Sequence, residues 1–512
     1  MSRRSLSYAA PFVLVLSSAL AQAQTAPAPA PAPASPAAAP PAAAGPRPVP
    51  TTLAPPAAPP GATGPDAPVS KVTLDLEAKL ASMQRGGGLT ADEAAKRAVS
   101  SSVDVSGKRS SIAAADAQVN ATGAGFIPKL DLSARYTRLS NIDLGNLPPA
   151  LGSQPVSSIF PVILDNYSLQ ATLSVPLSDY VLRLSNAMAA SNHNKNSAKL
   201  DEQATRLAVA RDARVAYYQW IRAQGASYVA AQALEAARGH AADVKNAFDA
   251  GLVSRADLLR AQSQVKSAEL TVAHYNNMVA NATEQLRVAM GDQSAANYDI
   301  GENILIELPP FPAPATPEAG YAEALEHRLE VRQLGESEAS LREQAKVARA
   351  ANYPRLDAQA DAIYANPNQR FFPAAQVWHG TWDAGVVLSW TPTNIFGAEA
   401  NAHVAEAHAD EVASKRAALK NGLRLEVNQA MNALTEATVS LASAREGLVA
   451  AHAVVLFRVR RELYRAGKAT VVDVTDAETD LTRSRLEVVN SHVDERIARV
   501  ALEHALGRDA GR

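Results

Sequence analysis

The strongest constraint on the fold of this chain is an internal repeat. The 44 residues from Tyr464 to Gly507 align without gaps on those from Phe248 to Gly291, and ten of them are identical. The shared positions are an Ala-Gly pair, one Asp, a terminal Gly and a set of small or apolar residues. A repeat of this kind predicts a duplicated structural unit.

Each copy has the pattern of a turn followed by a helix. Gly251 and Gly467 suit the left-handed residue that ends a helix, because glycine has no Cβ to clash there. Ser254 and Thr470 follow at the position of a helix N-cap. An aspartate stands three residues after each of them, as in a capping box, although that motif favours Glu or Gln.

Long helices are the dominant predicted element. Two of them, over 178–246 and 399–462, are each about 100 Å long at 1.5 Å per residue. Shorter ones are predicted over 90–122 and 316–350. Apolar and small residues recur at steps of three and four, which is typical of coiled-coil packing. The predicted seam of the second long helix is Leu423, Val427, Ala430, Leu434, Ala437, Leu441, Ala444, Leu448, Ala451 and Val455.

Four segments alternate apolar and polar residues and predict β-strands: 130–139, 167–177, 356–364 and 382–391. Nine to eleven alternating residues with aromatic ends are the weak signature of a transmembrane barrel strand. An ordinary half-buried hairpin gives the same pattern. If the strands do cross a membrane, four cannot close a barrel, since the smallest such barrels need about eight. Three copies would supply twelve.

Five charged residues fall on the polar faces of these strands. They would line the lumen of a shared barrel, and the acidic excess predicts a preference for cations, although a merely solvated polar lining is the alternative. These residues are Asp131, Arg135, Asp357, Asp361 and Asp383.

The N-terminal region carries no globular pattern. Residues 1–23 have two arginines, an apolar run and an Ala-Gln-Ala site, which predicts a cleaved signal peptide. Residues 24–68 are almost entirely Ala and Pro, which predicts an extended linker. Repeat 1 is then expected over 69–291, an equatorial connector over 292–315, repeat 2 over 316–507 and a short tail over 508–512.

Composition excludes several functional classes. The net charge is −2, which gives no electrostatic case for binding nucleic acid. Cysteine is absent, so disulfides and thiolate metal sites are excluded. No phosphate-binding glycine loop and no H-E-x-x-H motif occurs. We therefore expect neither an enzyme nor a bound cofactor or metal.

The stretch from Tyr464 to Ala477 resembles the second inner-end turn of the outer-membrane efflux and secretion channels typified by TolC, and Phe248 to Asp257 resembles the first. The order of predicted elements is similar to that family over most of 89–507. The resemblance implies a homotrimer whose β-barrel lies in outer membrane lipid of a Gram-negative cell and continues as an α-helical barrel across the periplasm. It also implies a passive exit duct that docks, through a periplasmic adaptor, with the inner-membrane pump of a tripartite efflux or type I secretion system.

The same resemblance implies roles for residues of both turns. Asp473 and Asp476 match aspartates that form rings at the narrow inner mouth, although Asp473 also has the spacing of a helix cap. Asp257 and Tyr464 match residues whose contacts close that mouth, while the family's arginine position holds Ala469. The expected docking residues of the two tips are Gly251, Leu252, Ser254, Gly467, Lys468 and Thr470.

A second interpretation belongs to a different class. A soluble periplasmic coiled-coil adaptor or structural protein would share the helical hairpins but would not need lipid-facing strands. The transported substrate, whether drug, metal ion or protein, and the identity of the pump do not follow from the residues.

Overall fold

The computed structural model of the chain describes residues 84–142, 163–294, 297–306, 308–458 and 470–511. These belong to one compact unit, Asp66–Arg512. The predicted signal peptide and Ala/Pro-rich linker lie outside the described residues.

The element order repeats between the two halves of this unit, which confirms the predicted duplication and the mainly helical fold with a sheet. The first half contains β1 (Gln84–Leu89), α1 (Ala91–Ser101), α2 (Val103–Ala124), β2 (Lys129–Arg138), β3 (Asp165–Val175), α3 (Ser185–Asp249) and α4 (Arg255–Ala289). The second contains α5 (Pro317–His327), α6 (Leu329–Arg349), β4 (Arg355–Asn366), β5 (His379–Ser389), α7 (Asn394–Arg458) and α8 (Val471–Leu506).

The two long helices have the same length. Helices α3 and α7 contain 65 residues each, or about 98 Å of rise. A helical turn over Leu177–Asp179 and a π-helical turn over Tyr180–Leu184 connect β3 to α3. None of the described helices combines the length and the apolar composition needed to cross a membrane.

Two helices that we predicted as continuous are interrupted. At Ser102 the backbone turns to φ −61° and ψ 124°, and the Ser102 side chain accepts a hydrogen bond from the Val105 amide, which starts α2. At Arg328, with φ −66° and ψ 119°, α5 ends and α6 begins. The Arg328 guanidinium binds Glu330, Glu426 and the carbonyl of His504. Long-range contacts therefore favour this second break, which the local sequence does not signal.

The four long strands form one antiparallel sheet in the order β2-β3-β4-β5. Its register pairs Tyr136 with Tyr167, Leu169 with Tyr364 and Ala362 with Trp382. One face is apolar and the other polar, as the period-two pattern predicts. Strand β1 is separate from this sheet, and Leu89 bridges Ile300 in parallel.

The core is a set of thin seams between helices. The predicted seam of α7 is confirmed from Leu423 to Leu448, where every position is buried. The widest cluster lies where α1, α3 and α4 meet α8, around Tyr217 and Trp220. The Tyr217 hydroxyl donates to the carbonyl of Leu89 at 2.7 Å, and the Trp220 indole donates to Thr283 at 3.1 Å. Both buried polar groups are thereby satisfied.

The predicted connector between the repeats is held by arginines. Buried Arg496 of α8 donates to the carbonyls of Asn303, Ile304 and Ile306 at 2.9 to 3.3 Å. Arg499 donates to the carbonyl of Pro309. These bonds attach an extended segment, which has few backbone partners of its own, to the side of a helix.

Candidate functional site

The turn between α3 and α4 has the capped geometry that the sequence predicts. Gly251 has φ +74°, and its amide donates to the Phe248 carbonyl at 2.8 Å. Ser254 then caps α4: its hydroxyl accepts from the Asp257 amide at 3.2 Å, while the Asp257 carboxylate accepts from the Ser254 hydroxyl at 2.6 Å. The Ser254 hydroxyl holds the pKa of Asp257 below its ordinary value. Leu252 is exposed at this tip.

The second copy repeats the capping box at the start of α8. The Asp473 amide donates to the Thr470 hydroxyl at 3.2 Å, and the Asp473 carboxylate accepts from the Thr470 amide at 3.1 Å. Asp473 therefore makes the helix-capping contacts that its spacing from Thr470 predicts. Tyr464, Gly467 and Lys468 lie outside the described residues, so the predicted contact between Tyr464 and Asp257 remains a prediction.

The predicted gate residues belong to an exposed acidic stripe on α8. Asp473 and Asp476 are exposed, while the residue that follows each of them, Val474 and Ala477, is buried. Asp476 makes no hydrogen bond or ion pair with another described residue. Asp480, whose carboxylate is 3.8 Å from Arg483, extends the stripe by one turn. We did not single out Asp480 from the sequence, although its spacing of seven from Asp473 places it on the same helix face.

Another carboxyl group near the start of α8, that of Glu478, is half-buried. Glu478 lines a cavity of about 380 Å³ between α3, α4 and α8, together with Gln264, Ser267 and Tyr275. Burial raises the pKa of Glu478 above its ordinary value of 4.5. The sequence pattern does not signal this burial, because only the packing of three helices removes Glu478 from water.

At the other end of the molecule, the sheet places the five predicted charged residues on its polar face. Register pairing puts Asp131 beside Thr172, Thr172 beside Asp361 and Asp361 beside Asp383. One row across the four strands therefore contains three aspartates. Asp357 and Arg135 lie on the same face in other rows.

The apolar face carries an aromatic cluster near one end of the strands. Ring centroids lie 5.0 Å apart for Tyr136 and Tyr167, 6.1 Å for Tyr167 and Trp378, and 5.0 Å for Tyr364 and Trp378. At the opposite end, where the strands meet the helices, Phe126 stacks on Tyr180 at 5.8 Å. Large apolar side chains between them are exposed, among them Leu132, Trp382 and Val386.

No group of three or more His, Asp or Glu side chains suited to a metal ion occurs within the described ranges. The most distinctive polar features are thus the two capped turns, the acidic stripe and the charged face of the sheet. The described part of the chain thus combines two duplicated helical units with an amphipathic sheet at one end and an acidic stripe at the other.

Two segments, 94–292 and 320–508, match the family model described as outer membrane efflux protein, and together they cover more than half of the chain. The chain belongs to the outer membrane efflux protein family. Its class is accordingly that of outer membrane transport channels and not of enzymes. A search of curated proteins returns no match.

Solved structures share the fold at low sequence identity. The outer membrane protein VceC of Vibrio cholerae is 17% identical, with a TM-score of 0.66 over 84% of this chain and 96% of that one. The outer membrane channel CmeC of Campylobacter jejuni is 16% identical, with a TM-score of 0.65 over 85% and 86%. The open state of the outer membrane channel MtrE of Neisseria gonorrhoeae is 16% identical, with a TM-score of 0.66 over 81% and 88%.

Proposed function

We propose that three copies of this chain close into one tube that acts as a passive exit duct for an inner-membrane pump. The observation that carries the proposal is a common order of elements at three heights of the molecule. The sheet runs β2-β3-β4-β5, the helices beside it pack as α2-α3-α6-α7, and those toward the tips pack as α4-α3-α8-α7. Each layer is open at both sides.

The outermost elements of these layers bury little of their surface. In α2, Val105 and Ala115 are the buried residues among 22, and in α4, Ala261 and Leu286 are the buried residues among 35. Helices so exposed gain little from tertiary packing in a single chain. The open edges of β2 and β5 likewise leave strand amides and carbonyls without partners. Head-to-tail pairing of one copy with the next would cover all of these edges, and a rotation that closes gives a ring.

The sheet has dimensions that fit an outer membrane. Strand β3 rises about 33 Å over the ten residue steps from Asp165 to Val175, between the aromatic cluster and the junction with the helices. At a tilt of about 40° this strand spans about 25 Å, the height of the lipid-facing band of outer-membrane barrels. Aromatic residues at both ends of the band match the positions of the two interfaces. We therefore place the apolar face in lipid and the polar face around water.

The helices would then extend into the periplasm as a second barrel, with the two capped turns at its inner mouth. Threefold symmetry would bring three copies of Asp473 and Asp476 together, and such a ring attracts cations and repels anions. The family resemblance supports docking of the adaptor and pump at the tips, which include Gly251, Leu252, Ser254, Gly467, Lys468 and Thr470. No cofactor enters this function, because the pump supplies the energy.

The test uses the absence of native cysteine. We would introduce one cysteine at Leu132 in β2 and a second at successive positions of β5, oxidise the protein in the membrane, and separate the products on denaturing gels. Dimeric and trimeric bands at positions of β5 two residues apart support the proposal. A matched control joins Leu169 to Tyr364, which are partners in one chain, and should give monomers only.

The same purified protein should require detergent and conduct ions in planar bilayers. A monomer that stays soluble without detergent and does not conduct would instead support the soluble adaptor interpretation. The exposed apolar strand face counts against that alternative, because exposed patches of this kind promote aggregation in water.

A further inference from the structure

The loop between β4 and β5 comprises residues 367–378. Its first part, residues 368–370, folds back over the polar face of the sheet, whereas Trp378 at its end packs on the apolar face. The Arg370 guanidinium donates to the Asp383 carboxylate at 3.0 Å and to the Trp382 carbonyl at 3.3 Å. Asp383 lies four residues inside β5, which begins at His379. At 3.3 Å per residue, the guanidinium is therefore about 13 Å inward from the start of the strand.

Asn368 fixes the beginning of this loop. It is 4% exposed, and its amide nitrogen donates to the Thr381 hydroxyl at 3.1 Å and to the His379 carbonyl at 3.0 Å. Its side-chain oxygen accepts from the Arg370 amide at 3.0 Å. Thr381 belongs to the polar face, like Asp383, so both contacts hold the loop on that side.

The charge of Arg370 offsets the repulsion between two neighbouring aspartates. Asp361 and Asp383 are direct partners on neighbouring strands, and like charges in this position repel. Asp361 accepts hydrogen bonds from Gln170 at 2.9 Å and from Gln359 at 2.8 Å, which are neutral donors. Arg370 is the cation that compensates Asp383.

We propose that the β4–β5 loop is an inward-folded constriction near the outer end of the channel and that Arg370 sets its ion preference. The inference rests on the proposed function, which places the polar face around water. Three copies would put three guanidinium groups at one level, where they narrow the opening and offset the acidic row. Rings of charged side chains at a constriction decide which ions pass.

The test is single-channel recording of the trimer in planar bilayers, with reversal potentials in a salt gradient. Arg370→Ala should raise the conductance about twofold and shift the preference toward cations, because the loop is released and Asp383 is left uncompensated. Asp383→Asn should raise the conductance as well but lower the cation preference. The exchange of charges, Arg370→Asp with Asp383→Arg, should restore a conductance near that of the unmodified protein.

Arg138→Ala is the matched control. Arg138 pairs with Asp165 at 3.1 Å near the same end of the sheet, but its register position places it on the apolar face. This variant should leave conductance and reversal potential unchanged. The double variant Asn368→Cys with Thr381→Cys tests the position of the loop without altering the pair of Arg370 and Asp383. It should conduct more after reduction than after oxidation.

The outcomes separate the two proposals. If the unmodified trimer conducts and Arg370→Ala matches it in conductance and reversal potential, the loop does not constrict the channel. If Arg370→Ala changes trimer formation but not conduction, Arg370 stabilises the edge of β5 for assembly and does not set the conduction of the channel. The inference is then also wrong. If the unmodified protein does not conduct at all, the proposed function itself fails.

Discussion

Asp473 and Thr470 hold one another at the start of α8: the carboxylate accepts from the Thr470 hydroxyl at 2.7 Å and from its amide at 3.1 Å. The same exchange joins Asp257 to Ser254 at the start of α4. These carboxylates are thus already engaged in capping the starts of α4 and α8. Asp476, one turn further along α8, is exposed and takes no part in the capping box. The two aspartates of the proposed ring are therefore not equivalent.

We expect Asp476→Asn together with Asp473→Asn to weaken the block of the channel by multivalent cations. The single change Asp476→Asn should account for most of a roughly tenfold loss in blocking affinity, because its carboxylate is free to hold a cation. Asp473→Asn alone should have the smaller effect. Titration of the block in bilayer recordings measures both. Asp480→Asn, next on the stripe and close to Arg483, is the control and should change the block least; equal block in all variants would contradict the ring.

We expect Arg496→Met to release the connector between the repeats. The change leaves the carbonyls of Asn303, Ile304 and Ile306 without their donor, at a cost of about 1–3 kcal/mol for each acceptor that stays buried. The purified protein should unfold at a lower temperature and be cut by proteases within residues 297–312. Arg483→Met is the control, because that side chain is 77% exposed. Cleavage at the same rate in both variants would show that Arg496 does not hold the connector.

We expect Glu478→Gln to flatten part of the pH dependence of stability. Burial raises the pKa of Glu478 above 4.5, so the folded protein retains a proton that the unfolded chain has lost. The contribution of Glu478 is then fully present below pH 4.5 and disappears as the pH rises through the folded value. Melting temperatures in detergent, measured from pH 4 to pH 8, should fall less steeply with pH in the variant. A slope unchanged by the substitution would mean that Glu478 titrates as in water.

His492 should make the stability of the protein depend on pH in the opposite direction. It is 1% exposed, and burial together with Arg445 and Arg496 lowers its pKa from 6.5 to about 4. The unfolded chain therefore binds a proton between these values that the folded protein does not, and stability falls as the pH drops through this range. At about 1.4 kcal/mol per unit, the difference amounts to about 3 kcal/mol.

His492→Leu, which keeps a similar volume, should remove that loss. The melting temperature of the variant should vary less between pH 6.5 and pH 4 than that of the unmodified protein. His274→Leu, at an exposed position of α4, is the control and should follow the unmodified curve. If both variants follow that curve, His492 does not titrate in this range.

Local sequence rules and periodicity were sufficient to predict most of the helices and strands. The steps of three and four predicted the α7 seam from Leu423 to Leu448, and the period of two predicted the strands and their faces, because these patterns depend on backbone geometry alone. The pairs Ser254 with Asp257 and Thr470 with Asp473 are local as well. The duplication was visible because both copies retain the same turn.

Only the tertiary structure decided what depends on residues distant in the chain. The break at Arg328 depends on partners near 426 and 504, the burial of Glu478 on three helices that meet, and the position of Arg370 on a strand that follows its loop. None of these contacts has a periodic signature, because each is a single meeting of side chains. The sequence therefore determined the helices, strands and capped turns, whereas packing determined which charges are compensated, buried or left facing water.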